Sequence, residues 1–121
     1  IGALVYTYAN GDDLLEKVAR ELESLDIRVY TIDDNKVRRG EPVSKEKAIR
    51  LLKEEAIDFV ATSGYTPELD YYVRRLAVDL NVPLVLDPTL ALELTKAMKK
   101  VKEVGDYEVK EMSEYWIFKA I

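Results

Sequence analysis

The chain contains no cysteine and no histidine. Those absences together exclude disulfides, thiol nucleophiles, Ser-His-Asp catalysis and ordinary zinc or iron sites. Carboxylates remain as a route to magnesium, but they would have to converge. Apolar runs are short, the longest less than half of the roughly 20 residues that cross a bilayer. No signal-peptide pattern opens the chain, so a cytoplasmic protein without membrane contact is expected. An excess of positive charge is missing too: 18 Lys+Arg face 23 Asp+Glu, a net charge of -5, which argues against nucleic acid or an anionic surface as partner. Glutamine is absent while Lys and Glu are plentiful, the profile of a heat-adapted source. Finally, the chain opens Ile1-Gly2-Ala3 without an initiator methionine. Removal of a tag accounts for that start as well as excision does; we expect a single domain, residues 1–121, excised from a longer polypeptide.

What is present fits that expectation, since 48% hydrophobic and 34% charged residues over 121 positions describe one globular domain with a proper core. Ala3 to Tyr8 reads as a strand. Asn10-Gly11-Asp12-Asp13 turns into a helix with Asp13 and Glu16 at capping-box spacing, and Leu14, Leu15, Val18, Ala19, Leu22 and Leu25 form its apolar face. Ile27 to Ile32 is a second strand, and Asp33 to Val43 a charged loop. Ser44 caps the next helix, Asp58 to Thr62 makes a third strand, and Pro67 opens a helix at its first position.

The stretch Tyr71 to Met98 then reads as helix, break at Asn81, strand, turn, helix. Its strand, Val82 to Leu86, is apolar on both faces and is expected at the centre of a layered domain. Leu90 to Val104 is a helix ended by Gly105. Tyr107 to Lys110 is a short fifth strand, and Ser113 starts a last turn or two of helix. Five strands alternating with helices predict an α/β fold: a three-layer α/β/α sandwich around a five-stranded, mainly parallel sheet, flavodoxin-like in class.

In open α/β sheets, ligands bind beyond the carboxyl ends of the strands. Those ends offer Asn10, Thr31, Thr62, Ser63 and Thr89, beside helix N-termini that favour anions; the same residues also serve every such fold as caps and turns. Lys36, Arg38 and Arg39 form the one dense basic cluster, read either as a solvated loop or as a phosphate or carboxylate site. In the Arg74-Arg75 pair one side chain should pack its stem on the core edge and the other face water. Asp12-Asp13 suggests a phosphoacceptor receiver, but the third strand ends Ala61-Thr62-Ser63 without an acceptor Asp, and no Lys-Pro follows the fifth. A single glycine in Asn10-Gly11 falls far short of a dinucleotide or P-loop fingerprint.

The order of these elements, with Asn35-Lys36-Val37, Gly40-Glu41-Pro42, the helix Val73-Arg74-Arg75-Leu76-Ala77 and the turn Asp87-Pro88-Thr89, resembles the methylglyoxal-synthase-like domain. It is most similar to the version at the carboxyl end of the carbamoyl-phosphate synthetase large subunit, over nearly the whole chain. The resemblance implies an allosteric domain, non-catalytic by itself, that responds to a nucleotide or ornithine effector. It further implies synthetase domains of the same large subunit and a glutaminase small subunit as partners. ATP and Mg would belong to the parent ligase of pyrimidine and arginine biosynthesis, with no cofactor in this domain. Lys36 matches the family's phosphate-site Lys, Thr31 its first Thr after the second strand, and Thr62 and Ser63 fall near its Asn/Thr pair.

Three departures predict an altered or lost nucleotide site. Asp13 stands where a Lys is expected, Ala61 where an Asn is expected, and a Gly-Thr with its following helix is missing between Thr31 and Asn35. A carboxylate in place of a cation reverses the sign of the interaction with phosphate; Arg38 and Arg39 are the candidates to substitute. Methylglyoxal synthase itself needs a His. A free-standing enzyme acting on a phosphorylated metabolite through Asp12 or Asp87 as general base is the alternative, as is a generic small-molecule-binding module.

Overall fold

In a computed structural model, which describes residues 1–8, 13–63 and 67–104, the chain begins with the strand that all else surrounds. β1 (Gly2–Thr7) is buried at every position. Its side chains alternate between two apolar layers, as strand geometry requires: Ala3 and Val5 enter one core cluster, Leu4 and Tyr6 the other. After β1 follow α1 (Leu14–Ser24), β2 (Arg28–Ile32), β3 (Glu41–Val43), α2 (Lys45–Lys53), β4 (Phe59–Ser63), α3 (Pro67–Asp79), β5 (Leu84–Val85) and α4 (Pro88–Val104). The strands order as β3-β2-β1-β4-β5, and every pairing is parallel. Helices α1 and α4 cover one face through Leu15, Val18, Leu22, Leu94 and Met98. Helices α2 and α3 cover the other through Ala48, Leu52, Val73 and Ala77. This is the expected α/β/α sandwich.

Helices α1, α2 and α3 stop in one common way. Asp26, Glu55 and Asn81 each take positive φ, at 62°, 62° and 58°. The next N–H after each reaches back five residues, Ile27 to Leu22, Ala56 to Leu51 and Val82 to Ala77, the Schellman closure that satisfies the last carbonyls. None of the three is glycine, so each exit carries left-handed strain. At the starts, Ser44 Oγ accepts the Lys47 N–H at 3.1 Å, and Asp87 Oδ1 accepts the Thr89 N–H at 2.9 Å. α4 therefore begins at Pro88, two residues before the Leu90 read from the sequence.

Other expectations are corrected. Val82 to Leu86 is not the central strand: only Leu84 and Val85 pair, and only with β4, at the end of the described sheet, with Leu86 47% exposed. The centre is β1, since it alone is buried along its whole length between two partners. Asp13 makes no side-chain capping bond, its backbone being helical (φ -90°, ψ -6°) rather than extended as a cap requires, and the other half of the expected box is lost because the Glu16 carboxylate accepts the Arg38 N–H. The supposed loop Asp33 to Val43 ends in a strand, β3, paired with Tyr30–Ile32. The expected Gly105 terminator, the strand Tyr107 to Lys110 and the turns from Ser113 lie outside the described residues.

The β2-to-β3 crossover takes eight residues, 33–40, without a helix, shorter than the dozen or so a parallel crossover normally needs. Val37, 3% exposed, plugs into the α1 side of the core. Gly40 then turns the chain at φ 101°, where a Cβ would meet Val29 Cγ1 at 2.9 Å and the Val29 carbonyl oxygen at 3.0 Å.

These backbone features make opposite predictions. Gly40→Ala should cost on the order of 2–4 kcal/mol, combining left-handed strain with overpacking. Glu55→Gly should instead stabilise by up to about 1 kcal/mol. Urea denaturation midpoints of the two variants measure both.

Candidate functional site

All strands are parallel, so their carboxyl ends and the N-termini of the helices that follow share one edge. The β1–β4 register sets Thr7 beside Ser63, and continuing the neighbouring registers brings Asp33 and Asp87 level with them. This edge is organised by a residue that the sequence reading quoted without assigning it a role. Asn35 is 5% exposed. Its Oδ1 accepts the Val37 N–H at 2.7 Å and, more loosely, the Thr7 N–H at 3.4 Å. Its Nδ2 donates to Thr31 Oγ1 at 2.7 Å and to the Ile32 carbonyl. One carboxamide thereby uses its full donor and acceptor capacity to tie the crossover to the ends of β1 and β2. Beside it, the Lys36 N–H donates to the Thr7 carbonyl at 2.7 Å, which fixes the Lys36 backbone on the rim while its side chain is exposed.

Thr7 is the second residue missed by sequence reading. Its hydroxyl donates to the Ser63 carbonyl at 2.8 Å and lies 2.9 Å from Ser63 Oγ, closing the gap between β1 and β4. The only available signal was a polar residue ending an otherwise apolar strand. Ser63, half-buried, shares its face of the sheet with Ala61 and Phe59, the α1/α4 side. Thr89, exposed at the start of α4, stands on that side too. Of the predicted site residues, Lys36, Ser63 and Thr89 are thus the ones that stand accessible at this edge, Lys36 and Ser63 each joined to Thr7 and Thr89 at the start of α4.

The others are placed elsewhere. Thr31, 3% exposed, lies beneath the loop as the partner of Asn35 and cannot meet a ligand directly. Thr62 alternates to the α2/α3 face; it is fully buried, and its hydroxyl has no hydrogen-bond partner among the described residues. Arg38 is exposed, its amide held by Glu16 in the first turn of α1. Arg39 pairs with Glu23 at 2.8 Å, two helical turns or about 10 Å further from the rim. The basic cluster of the sequence is thus dispersed along α1, because the chain there is descending to begin β3. Asn10 and Asp12 lie outside the described residues. Asp87, the other proposed general base, is occupied as the helix cap.

Among the described residues, charge along the rim is mostly negative. Asp13, Asp33, Asp34 and Asp87 are exposed there around Lys36, which makes no ion pair among the described residues. No three carboxylates among the described residues converge as a metal site requires. Two open clefts, about 340 and 490 Å³, sit at the opposite edge, lined by Gly2, Arg28 and Asp58 and by Glu23, Asp26 and Gly40. No described helix is long and apolar enough to cross a membrane.

A parallel sheet of order 3-2-1-4-5 with helices on both faces and a polar rim at its carboxyl edge defines a three-layer α/β/α domain consistent with the methylglyoxal-synthase-like kind. The chain is 46% identical over 119 residues to the carbamoyl phosphate synthase large chain of Pyrococcus furiosus, covering 97% of this chain and 11% of that one. It is 40% identical over 114 residues to that of Hyperthermus butylicus (93% and 10%) and 40% over 111 residues to that of Sulfolobus acidocaldarius (87% and 10%). No family model and no solved structure matches the chain. The chain is thus similar to one segment of the carbamoyl phosphate synthase large chain, and it spans about a tenth of the length of these relatives.

Asn35→Ala should destabilise the domain by about 2–3 kcal/mol, since it strands the buried Ile32 carbonyl and the Val37 N–H. Lys36→Ala, one residue away on the surface, should stay within about 0.5 kcal/mol of the parent. Chemical denaturation of the two variants checks the contrast.

Proposed function

We propose that this chain is a regulatory domain of a carbamoyl phosphate synthase large subunit, cut from a longer polypeptide, with its effector site on the rim between α1 and α4. It is not catalytic on its own. The synthetase domains ahead of it, which use ATP and Mg, and the glutaminase small subunit are the partners it would influence.

The observation that carries the effector reading is the charge balance of that rim: one exposed ammonium, Lys36, among the carboxylates of Asp13, Asp33, Asp34 and Asp87. A phosphate brought there gains from Lys36 and the helix N-termini and is opposed by the surrounding carboxylates. A zwitterionic amino acid with a cationic side chain suits both signs, its carboxylate toward Lys36 and Ser63 and its ammonium groups toward the aspartates. Ornithine is therefore favoured over UMP or IMP. This is the nucleotide site altered by Asp13, as the sequence departures imply.

Thermal denaturation of the 121-residue chain with each ligand separates the readings. Ornithine at 100 times its Kd should add about 2.7 kcal/mol of stability, and Asp13→Asn should diminish that gain. UMP should give little or none. A clear UMP shift abolished by Lys36→Ala would overturn the altered-site reading. A parent reading frame lacking synthetase halves upstream would end the regulatory reading altogether.

A further inference from the structure

The outward surfaces of α1 and α2 carry Lys17, Arg20, Glu23, Lys45, Glu46, Arg50 and Lys53, all exposed. α3 departs from them. Among the described residues, the exposed large apolar side chains apart from Ile1 are Tyr71 (57%), Tyr72 (63%), Val78 (66%), Leu80 and Leu86, which lie on α3, at its exit and just past β5. Tyr71, Arg75 and Val78 fall at i, i+4 and i+7 and form one stripe. Val73 and Ala77 form another, fully buried against the sheet. A helix apolar on two faces has one face covered by its own domain and a second that calls for another cover.

The outer stripe is also held in place. Arg75 Nη1 donates to the Tyr71 hydroxyl at 3.1 Å, and the Tyr71 and Tyr72 rings meet edge to face with centroids 6.1 Å apart. The hydrogen bond to Tyr71, and after it the Asp79 carboxylate, raise the already high pKa of Arg75; the guanidinium is charged at any working pH, with Asp79 3.8 Å away. Preordered Tyr and Arg on an apolar surface are the usual anchors of protein–protein contact.

We infer that the outer face of α3, extended by Leu86, is the surface on which the remainder of the large chain sits, presenting an apolar face of the same polypeptide. The inference rests on the regulatory reading above. The occupant is chosen by length: the relatives match nearly all of this chain with about a tenth of their own, so most of such a polypeptide lies outside the domain and must meet it somewhere. Connectivity gives the contact a use. α3 begins four residues after Ser63, so one helix joins the rim to the docking face, and a ligand that shifts its first turn shifts what the stripe presents.

Hydroxyl-radical footprinting of Tyr71 and Tyr72, in the full-length polypeptide and in the 121-residue chain, tests this. Oxidation of both rings should be severalfold slower in the full-length protein. Val78→Asp should restore the Tyr72 rate there while leaving the melting temperature of the 121-residue chain unchanged. Equal rates in the two proteins overturn the inference. So does slow oxidation in the 121-residue chain itself, whether relieved by dilution, which means a second copy covers the face, or by removal of residues 105–121, which means the chain's own end does. The ornithine shift is read separately: protection without a shift sinks the effector reading alone, and a shift without protection sinks the docking face alone.

Discussion

β1 is the constraint from which the rest follows. Six consecutive residues buried on both faces cannot stand at a solvated surface, so the strand demands parallel neighbours on each side and a helical layer above and below. Meeting that demand sends every strand the same way. All carboxyl ends then meet at one edge and all helices begin there, which makes that edge a polar rim supplied with unpaired helix N–H groups. The shared Schellman exits at Asp26, Glu55 and Asn81 return the chain to the other edge and aim it into the next strand.

Chemistry on the rim depends on a smaller device. Asn35 joins residues 28 positions apart in the chain by accepting from Thr7 while it holds Thr31, Ile32 and Val37. Without that knot a crossover lacking a helix would lose its buried polar anchor and keep only Val37, the Lys36–Thr7 backbone bond and the contacts of Arg38 and Arg39 with α1. The knot also explains how two cations three positions apart serve different ends: Lys36 is left at the rim, whereas Arg39 is drawn off to Glu23. Basic residues close in sequence are spread along α1 in space, which leaves the Lys36 ammonium near exposed aspartates, and that difference in local charge underlies the proposed preference for a zwitterionic over a phosphorylated ligand.

Much of the architecture was legible in the residues. The apolar periodicity of Leu15, Val18 and Leu22, the Ser44 cap and Pro67 at the head of α3 all report local physics, and all hold. Arg74-Arg75 divides as its position on an amphipathic helix requires, the first half-buried and the second exposed. What failed to read locally depends on partners distant in sequence. Glu41–Val43 has too few residues and a proline, so only the β2 edge makes it a strand. Val82–Leu86 looked central because apolar content reports burial, and burial at the end of a sheet between helices looks the same. Glu16 was drawn from its expected capping partner by the Arg38 amide, a competitor 22 residues away.

Hydrophobic pattern, caps and turn residues, each an interaction within a few positions, sufficed to specify an α/β sandwich, and the order of short motifs sufficed to suggest its lineage. The make-up of the rim was decided only by tertiary structure. Alternation about a strand sends Thr62 to one face and Ser63 to the other, register brings Thr7 to Ser63, and one buried carboxamide determines where Lys36 stands. Those are relations between elements, and a ligand meets the surface they build together, which no single stretch of the chain contains.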